Sequence, residues 1–156
     1  MSGIKTSKNK SPFAKLAHIS VVVENIEETI RYYESLGVGP FEAPANHEFI
    51  SKSYKGQPLN SRLIIREASL GSIILQIVEH LAGDCVAKDC LDRKGPGIYH
   101  LGFLVEDVNL EESRLNAAGI DALQKGRRED DTGYTYFDTE KQAGVVLEIK
   151  QPPHAG

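Results

Sequence analysis

The chain has few of the features that mark fibrous, membrane-spanning or nucleic-acid-binding proteins. It contains no Trp, one Met and two Cys, and no apolar run approaches the roughly 20 residues of a membrane span. Its 14 Gly and 7 Pro follow no period, which excludes a collagen-like fibre. Basic residues do not predominate: 18 Lys and Arg against 22 Asp and Glu give a net charge of −4. We therefore expect neither a nucleic-acid partner nor a membrane partner.

The cysteines and the N-terminus favour a cytoplasmic protein. Cys85 and Cys90 lack the spacing of a zinc site, and free thiols are favoured over a disulfide that closes so short a loop. Residues 1–15 contain four Lys but no apolar segment typical of a secretory signal, so we predict a disordered leader over residues 1–14. The rest of the chain has the length of one domain with a real core.

That domain contains an internal repeat with an offset of 82 residues. Segment 17–26 (AHISVVVENI) aligns without a gap with segment 99–108 (YHLGFLVEDV), so that His18 aligns with His100. Few residues are identical between the two segments, but apolar and polar residues follow the same order in both. Each copy begins with an apolar strand, and Asn25 is expected to cap the helix that follows the first strand. The sequence therefore predicts two similar modules.

Three further strands are predicted after the helix of each copy. In both copies the last two are apolar segments that flank a turn, and the first is the least defined. The predicted strands are 41–49, 63–68 and 73–78 in the first copy, and 121–124, 134–138 and 145–150 in the second. Each copy is thus a βαβββ module.

The domain organisation follows from this repeat. We predict one domain over residues 15–151 and a tail over 152–156. Within the domain, module one covers 15–80, an exposed and partly helical linker covers 81–97, and module two covers 98–151. The fold class is α+β, with both modules forming one curved mixed sheet. A homodimer is also expected.

Four side chains in equivalent places of the two modules could hold a metal. His18 and His100 are repeat partners, and Gln76 and Glu148 are the polar residues within the final apolar strands. A polar group on a buried strand needs a partner, and a metal would supply one. Two nitrogens and two oxygens suit a borderline divalent ion such as Zn²⁺, Ni²⁺, Co²⁺ or Mn²⁺.

A simpler interpretation stays open for each of these residues. A lone histidine beside an apolar strand is more often a hydrogen-bonded core residue than a ligand, and only the repeat moves the balance towards a metal site. The other histidines have no repeat partner and are interpreted as surface or local-structure residues: His47, His80 and His154.

Three stretches resemble the vicinal oxygen chelate (glyoxalase/bleomycin-resistance) superfamily. Residues 16–37 are similar to its opening strand and helix, 99–108 to the start of its second module, and 141–149 to its closing strand. The resemblance covers about residues 14–151 and is loose over 41–61. Within the superfamily, the pattern most resembles methylmalonyl-CoA epimerases and lactoylglutathione lyases.

This resemblance implies a metal among His18, Gln76, His100 and Glu148, and proton transfer at the carbon next to a carbonyl. Glu148 is then both a ligand and a candidate base, and Glu48 is a candidate second acid/base. Glu67 is an alternative to Glu48, since the loose stretch does not align either residue uniquely. The implied substrate is an acyl-CoA thioester or a 2-oxo compound. Candidate partners for CoA phosphates are Lys52, Lys55, Arg62, Arg127 and Arg128.

Other functions within the same fold stay open. A lactoylglutathione lyase usually has Glu where this chain has Gln76, and an amide cannot serve as a base. A drug-binding protein would generally lack the complete ligand set. A ring-cleaving dioxygenase would hold Fe²⁺ with two His and one Glu, but such enzymes usually carry additional modules.

Overall fold

The structure is a computed structural model that describes residues 11–45 and 48–155. Within these ranges four helices and nine strands follow one another along the chain. They are β1 (Leu16–Val23), α1 (Ile26–Ser35), β2 (Ser51–Tyr54), β3 (Gln57–Pro58), β4 (Arg62–Leu70), β5 (Ile73–Ala82), α2 (Val86–Lys94), β6 (Gly97–Leu104), α3 (Val108–Ala117), β7 (Ala122–Arg127), β8 (Gly133–Phe137), α4 (Glu140–Ala143) and β9 (Val146–Gln151).

All nine strands belong to one mixed sheet, which confirms the predicted α+β class. Its order is β3-β2-β7-β8-β9-β6-β1-β5-β4. The first strands of the two copies, β1 and β6, are antiparallel neighbours at the centre, and each has the last strand of its own copy, β5 or β9, as a parallel neighbour. The repeat in the sequence thus places His18 and His100 on adjacent central strands.

The helix cap predicted from the sequence is present, and the second copy has a cap at the equivalent place. The Asn25 side chain accepts a hydrogen bond from the Glu28 amide at the start of α1. Asp107 accepts from the amides of Asn109 and Leu110 at the start of α3. These side chains satisfy amides that have no partner within the helix, which fixes the direction in which each helix leaves the sheet.

The predicted strand at 41–49 is wrong. Within its described residues, only Glu42 pairs with another strand, through a single bridge to Glu67. Pro44 has no amide hydrogen to donate, so it cannot extend a ladder there. The chain instead forms β2 and β3 further along, and β2 pairs with β7 of the second copy. His47 lies outside the described residues, as do residues 1–10 of the predicted leader.

The linker between the copies is helical, as predicted, but its predicted exposure is wrong for the helix α2. Val86, Ala87 and Cys90 are buried, together with Cys85 just before the helix. They pack with Val22, Val78, Tyr99 and Val146 in one core cluster. Both cysteines are free thiols, as expected.

The two faces of the sheet pack against different helices. On one face, α1 packs over Ile77 and α3 packs over Ile149. Side chains alternate along a strand, so the residues next to these, such as Val78 and Glu148, lie on the opposite face with α2. Phe13 lies edge-on to Phe103 and Phe137, so the packed structure begins before residue 15.

No helix of the described part of the chain is long and apolar enough to cross a membrane.

Candidate metal centre and cavity

Three of the four predicted ligands meet on the α2 side of the sheet. The Nε2 atoms of His18 and His100 are 2.8 Å apart. Glu148 Oε1 lies 3.0 Å from His18 Nε2 and 3.5 Å from His100 Nε2. All three side chains are buried, with residue exposures of 2 %, 0 % and 5 % respectively. Their ligand atoms lie within 4.8 Å of one another, close enough to share one ion.

The surroundings of this triad fit a metal. Glu148 Oε1 is buried, and its 3.0 Å contact with His18 Nε2 does not have the geometry of a hydrogen bond. Two imidazole nitrogens that face each other at 2.8 Å cannot both present lone pairs without a proton or a cation between them. An anionic oxygen and two nitrogens converging in a buried space form a set that zinc-like ions bind.

Gly102 provides the space beside the triad. It is the register partner of His18 on β1 and of Glu148 on β9. A Cβ atom at this position would lie 2.1 Å from His18 Cε1 and 2.5 Å from Glu148 Oε1. No side chain larger than hydrogen fits without displacing a ligand.

We therefore expect Gly102→Val to remove metal binding, because its side chain would occupy the space between the two ligand-bearing strands. The packing strain should lower the free energy of unfolding by about 1–3 kcal/mol. Metal content by mass spectrometry and thermal unfolding measure the two effects. Gly102→Ala is the graded control, since one methyl group requires the ends of the His18 and Glu148 side chains to shift less than the larger valine does. Full metal content in Gly102→Val would contradict the assignment.

A β-bulge allows two consecutive residues of β6 to contribute to this face. Ser20 pairs with His100 and Val21 pairs with Ile98, so Tyr99 is the extra residue. Tyr99 is buried in the cluster beneath α2, and its ring lies 4.5 Å from that of His100. On the other side, the Tyr136 ring lies 4.7 Å from His100. The His100 imidazole is thus held between two tyrosines.

Gln76 lies on the neighbouring strand β5, and its amide is engaged by two side chains. Ser20 Oγ donates to Gln76 Oε1 at 2.9 Å, and Gln76 Nε2 donates to Glu67 Oε2 at 3.0 Å. Because a carboxylate only accepts, Glu67 determines which end of the amide faces it. Gln76 lines the same cavity as His18 and Glu148. Its hydrogen bond to Glu67 turns the amide so that the carbonyl oxygen of Gln76 points away from Glu67.

Burial and mutual contact act together on the ionisation of the triad. Burial raises the pKa of Glu148, but the adjacent imidazoles of His100 and His18 more than offset this and lower it to about 2. Burial lowers the pKa of His100, although Glu148 opposes that shift. A carboxylate that stays ionised and an imidazole that stays neutral are the forms that bind metals.

The triad opens into a cavity of about 930 Å³. Its lining includes Glu48, which is exposed and belongs to the segment before β2. The predicted second carboxylate thus lines the cavity but is not part of the triad. Tyr134 and Tyr136 also line it; burial raises the pKa of Tyr134 to about 12, so its hydroxyl stays protonated.

Of the five cations predicted to contact phosphates, only two line the cavity. Lys52 and Arg128 line the cavity. Arg127 is instead paired with Glu112 at 2.9 Å, and Lys55 lies over the Tyr54 ring at 5.3 Å. Arg62 is exposed at the start of β4 and does not line the cavity. Arg66 and Lys150, which the sequence analysis did not select, line the cavity as well. They stand on β4 and β9, which are separated by β6, β1 and β5 in the sheet, and only the tertiary structure shows that both reach the same space.

Comparisons with known proteins support the same fold. A protein-family model described as Glyoxalase/Bleomycin resistance protein/Dioxygenase superfamily matches residues 17–137. A Bacillus subtilis (strain 168) protein named Uncharacterized protein YqjC is 23 % identical over 141 residues, which cover 88 % of this chain and 92 % of that protein.

Solved structures of methylmalonyl-CoA epimerases share this architecture. That from Mycobacterium tuberculosis has a TM-score of 0.61 at 22 % identity, covering 95 % of this chain and 94 % of the other. A methylmalonyl-CoA epimerase in complex with methylmalonyl-CoA and NH4+ has a TM-score of 0.66 at 19 % identity, covering 91 % and 96 %. A Streptomyces coelicolor epimerase variant in complex with 2-nitronate-propionyl-CoA gives 0.66 and 19 %, covering 92 % and 97 %.

Proposed function

Because this chain belongs to the glyoxalase/bleomycin resistance protein/dioxygenase superfamily, we propose that it is a divalent-metal-dependent isomerase or lyase that moves a proton next to a carbonyl. One observation carries the proposal: His18, His100 and Glu148 converge, buried, beside a cavity that can admit a substrate. Of the activities open to such a site, we propose an epimerase resembling methylmalonyl-CoA epimerase, acting in the cytoplasm on an acyl-CoA thioester.

The proposed metal ligands are the triad and Gln76, with Zn²⁺, Ni²⁺, Co²⁺ or Mn²⁺ as the ion. Such an ion, when bound, polarises a carbonyl oxygen and makes the neighbouring C–H more acidic. The protein supplies a buried environment in which this effect is not screened by water. Gln76 is neutral, so the proposed site carries one anionic ligand and keeps a net positive charge when it holds a divalent ion.

Glu148 and Glu48 are the proposed proton carriers. Glu148 has two carboxylate oxygens, so one can serve as ligand while the other accepts a proton. Inversion at carbon requires that a proton be removed from one face and delivered to the other. Glu48 lines the same cavity without belonging to the triad, which supports its role as the second group.

The position of Gln76 favours an epimerase over a lactoylglutathione lyase. Its amide cannot act as a base, and its donating end is already bound to Glu67. A lyase mechanism that uses two metal-bound carboxylates therefore has only Glu148 available.

We also propose that the protein forms a homodimer, because β4 stands at the sheet edge, where a second chain could pair with it.

Solvent deuterium incorporation tests the epimerase. Protein loaded with each of the four metals is incubated with methylmalonyl-CoA in D₂O, and the α-proton is followed by NMR. We expect deuterium at the α-carbon with at least one metal and none after treatment with a chelator.

Absence of exchange with all four metals would contradict the epimerase assignment. The hemithioacetal of glutathione and a 2-oxoaldehyde then tests the lyase. A protein that purifies without metal and binds an aromatic ligand would instead be a drug-binding member of the fold.

A further inference from the structure

The cavity differs in charge from the protein as a whole. The chain carries a net charge of −4, yet its cavity is lined by four cations (Lys52, Arg66, Arg128 and Lys150) and two acids, Glu48 and Glu148. None of the four cations forms an ion pair with a carboxylate of the described residues. Such a lining attracts an anionic ligand.

Arg128 is the most constrained of these cations. It begins the turn between β7 and β8, in which the Asp131 amide donates to the Arg128 carbonyl oxygen at 3.0 Å. Its guanidinium lies over the Phe49 ring, with Cζ 4.6 Å from the centroid. Nη1 donates to Thr132 Oγ1 and to the Gln151 carbonyl oxygen, both at 3.2 Å. These contacts hold one face and one end of the guanidinium.

The rest of the guanidinium has no anion to neutralise it. Arg128 Nε is buried and lacks a hydrogen-bond partner in the described residues. Burial lowers the pKa of Arg128, and the nearby Asp130 only partly opposes this. A desolvated guanidinium with an unpaired donor costs free energy, which a bound anion would recover.

The preceding residue, Arg127, ends β7 and has hydrogen-bond partners that a structural arginine needs. Its guanidinium binds Glu112, Asn109, Thr135 and a backbone carbonyl oxygen. Arg127 is thus satisfied within the protein, whereas Arg128, one residue later and on the cavity side, is held in place but left without its anion.

We infer that Arg128 is a substrate-binding residue that anchors an anionic group, a carboxylate or a phosphate, at the cavity wall formed by Phe49 and the turn 128–132. The planar guanidinium suits either group because both present two oxygens in its plane. The inference rests on the proposed function for its substrate class, since an acyl-CoA with a carboxylated acyl group carries both anions.

Binding to matched thioesters distinguishes the two sources. Titration calorimetry compares malonyl-CoA with acetyl-CoA, which lacks the carboxylate, and each with its 3′-dephospho form. In Arg128→Met the stem over Phe49 is kept while the charge and Nε are lost. We expect this variant to bind the recognised anion about 10- to 100-fold more weakly.

The loss identifies the anion. If Arg128 binds the acyl carboxylate, the variant loses the preference for malonyl-CoA over acetyl-CoA. If it binds the 3′-phosphate, it loses the preference for the 3′-phosphorylated forms; if it binds the 5′-diphosphate, all four thioesters bind more weakly by the same factor. Arg128→Lys should recover only part of the affinity, since lysine keeps the charge but not the planar donor pair. Arg31→Met, which changes an exposed arginine of α1, is the control and should bind like the wild type.

Small anions separate this inference from the proposed enzyme activity. Malonate and inorganic pyrophosphate are titrated while the amide signals of Thr132 and Gly133 are followed by NMR. If the wild type binds no thioester but these signals shift and Arg128→Met abolishes the shift, the acyl-CoA proposal fails and the anion site stands. Equal thioester affinities and equal shifts in both proteins would overturn the Arg128 inference.

Discussion

Substituting alanine for His100 is expected to abolish stoichiometric metal binding, with a loss of affinity of more than about 100-fold. Removal of a residue that only hydrogen-bonds a metal ligand lowers metal affinity about 10- to 100-fold. The loss expected here is larger because the proposed ligand itself is removed. His100 Nε2 is one of three donor atoms that converge in the buried triad. Elemental analysis after dialysis and competition with a chromogenic chelator measure the loss. His18→Ala should behave in the same way.

The control for both variants is His154→Ala, which removes an exposed imidazole near the C-terminus. Circular dichroism must show that the substituted proteins keep the fold of the metal-free wild type. If His18→Ala and His100→Ala both retained one ion per chain, the triad would be a hydrogen-bonded core cluster. That is the simpler interpretation that the sequence leaves open.

Glu148→Gln should lower the rate of α-proton exchange by about 10²- to 10⁴-fold, the range that general acid–base groups contribute. The substitution keeps the size of the side chain but removes the carboxylate, whose pKa the adjacent imidazoles lower to about 2, and with it the ability to accept a proton. Exchange is measured at saturating metal, so that weaker metal binding is separated from loss of the base. Glu27→Gln, an exposed glutamate of α1, should exchange at the wild-type rate.

The proton exchange of Glu48→Gln is measured with each epimer of the substrate separately. If each carboxylate serves one face of the substrate, Glu48→Gln should still exchange the proton of one epimer but not that of the other, and net inversion should stop. Wild-type inversion by Glu48→Gln would exclude Glu48 as the second acid/base. Glu67, which binds the Gln76 amide, would then be the next carboxylate to substitute.

The positions of the candidate ligands could be predicted because they follow from local patterns in the sequence. A residue that opens an apolar strand in both copies of a repeat occupies equivalent places in the fold, which located His18 and His100. Glu148 could be located because it is polar in an apolar strand, and the structure places it on the face opposite the Ile149 cluster. Gly102 could have been found in the same way, two residues after His100, but only the strand pairing shows why its lack of a side chain matters.

The sequence by itself determined the repeat, the Asn25 cap, the α+β class and the four candidate ligands, since each follows from a local pattern of residue types or from its recurrence 82 residues later. Only the tertiary structure decided that β2 pairs with the second copy, that one face of α2 is buried, and that Phe49 lies against Arg128. These contacts join residues far apart in sequence, so no local pattern specifies them. The candidate metal site could therefore be located largely from the sequence, whereas the cavity that would select a substrate depends on non-local pairing.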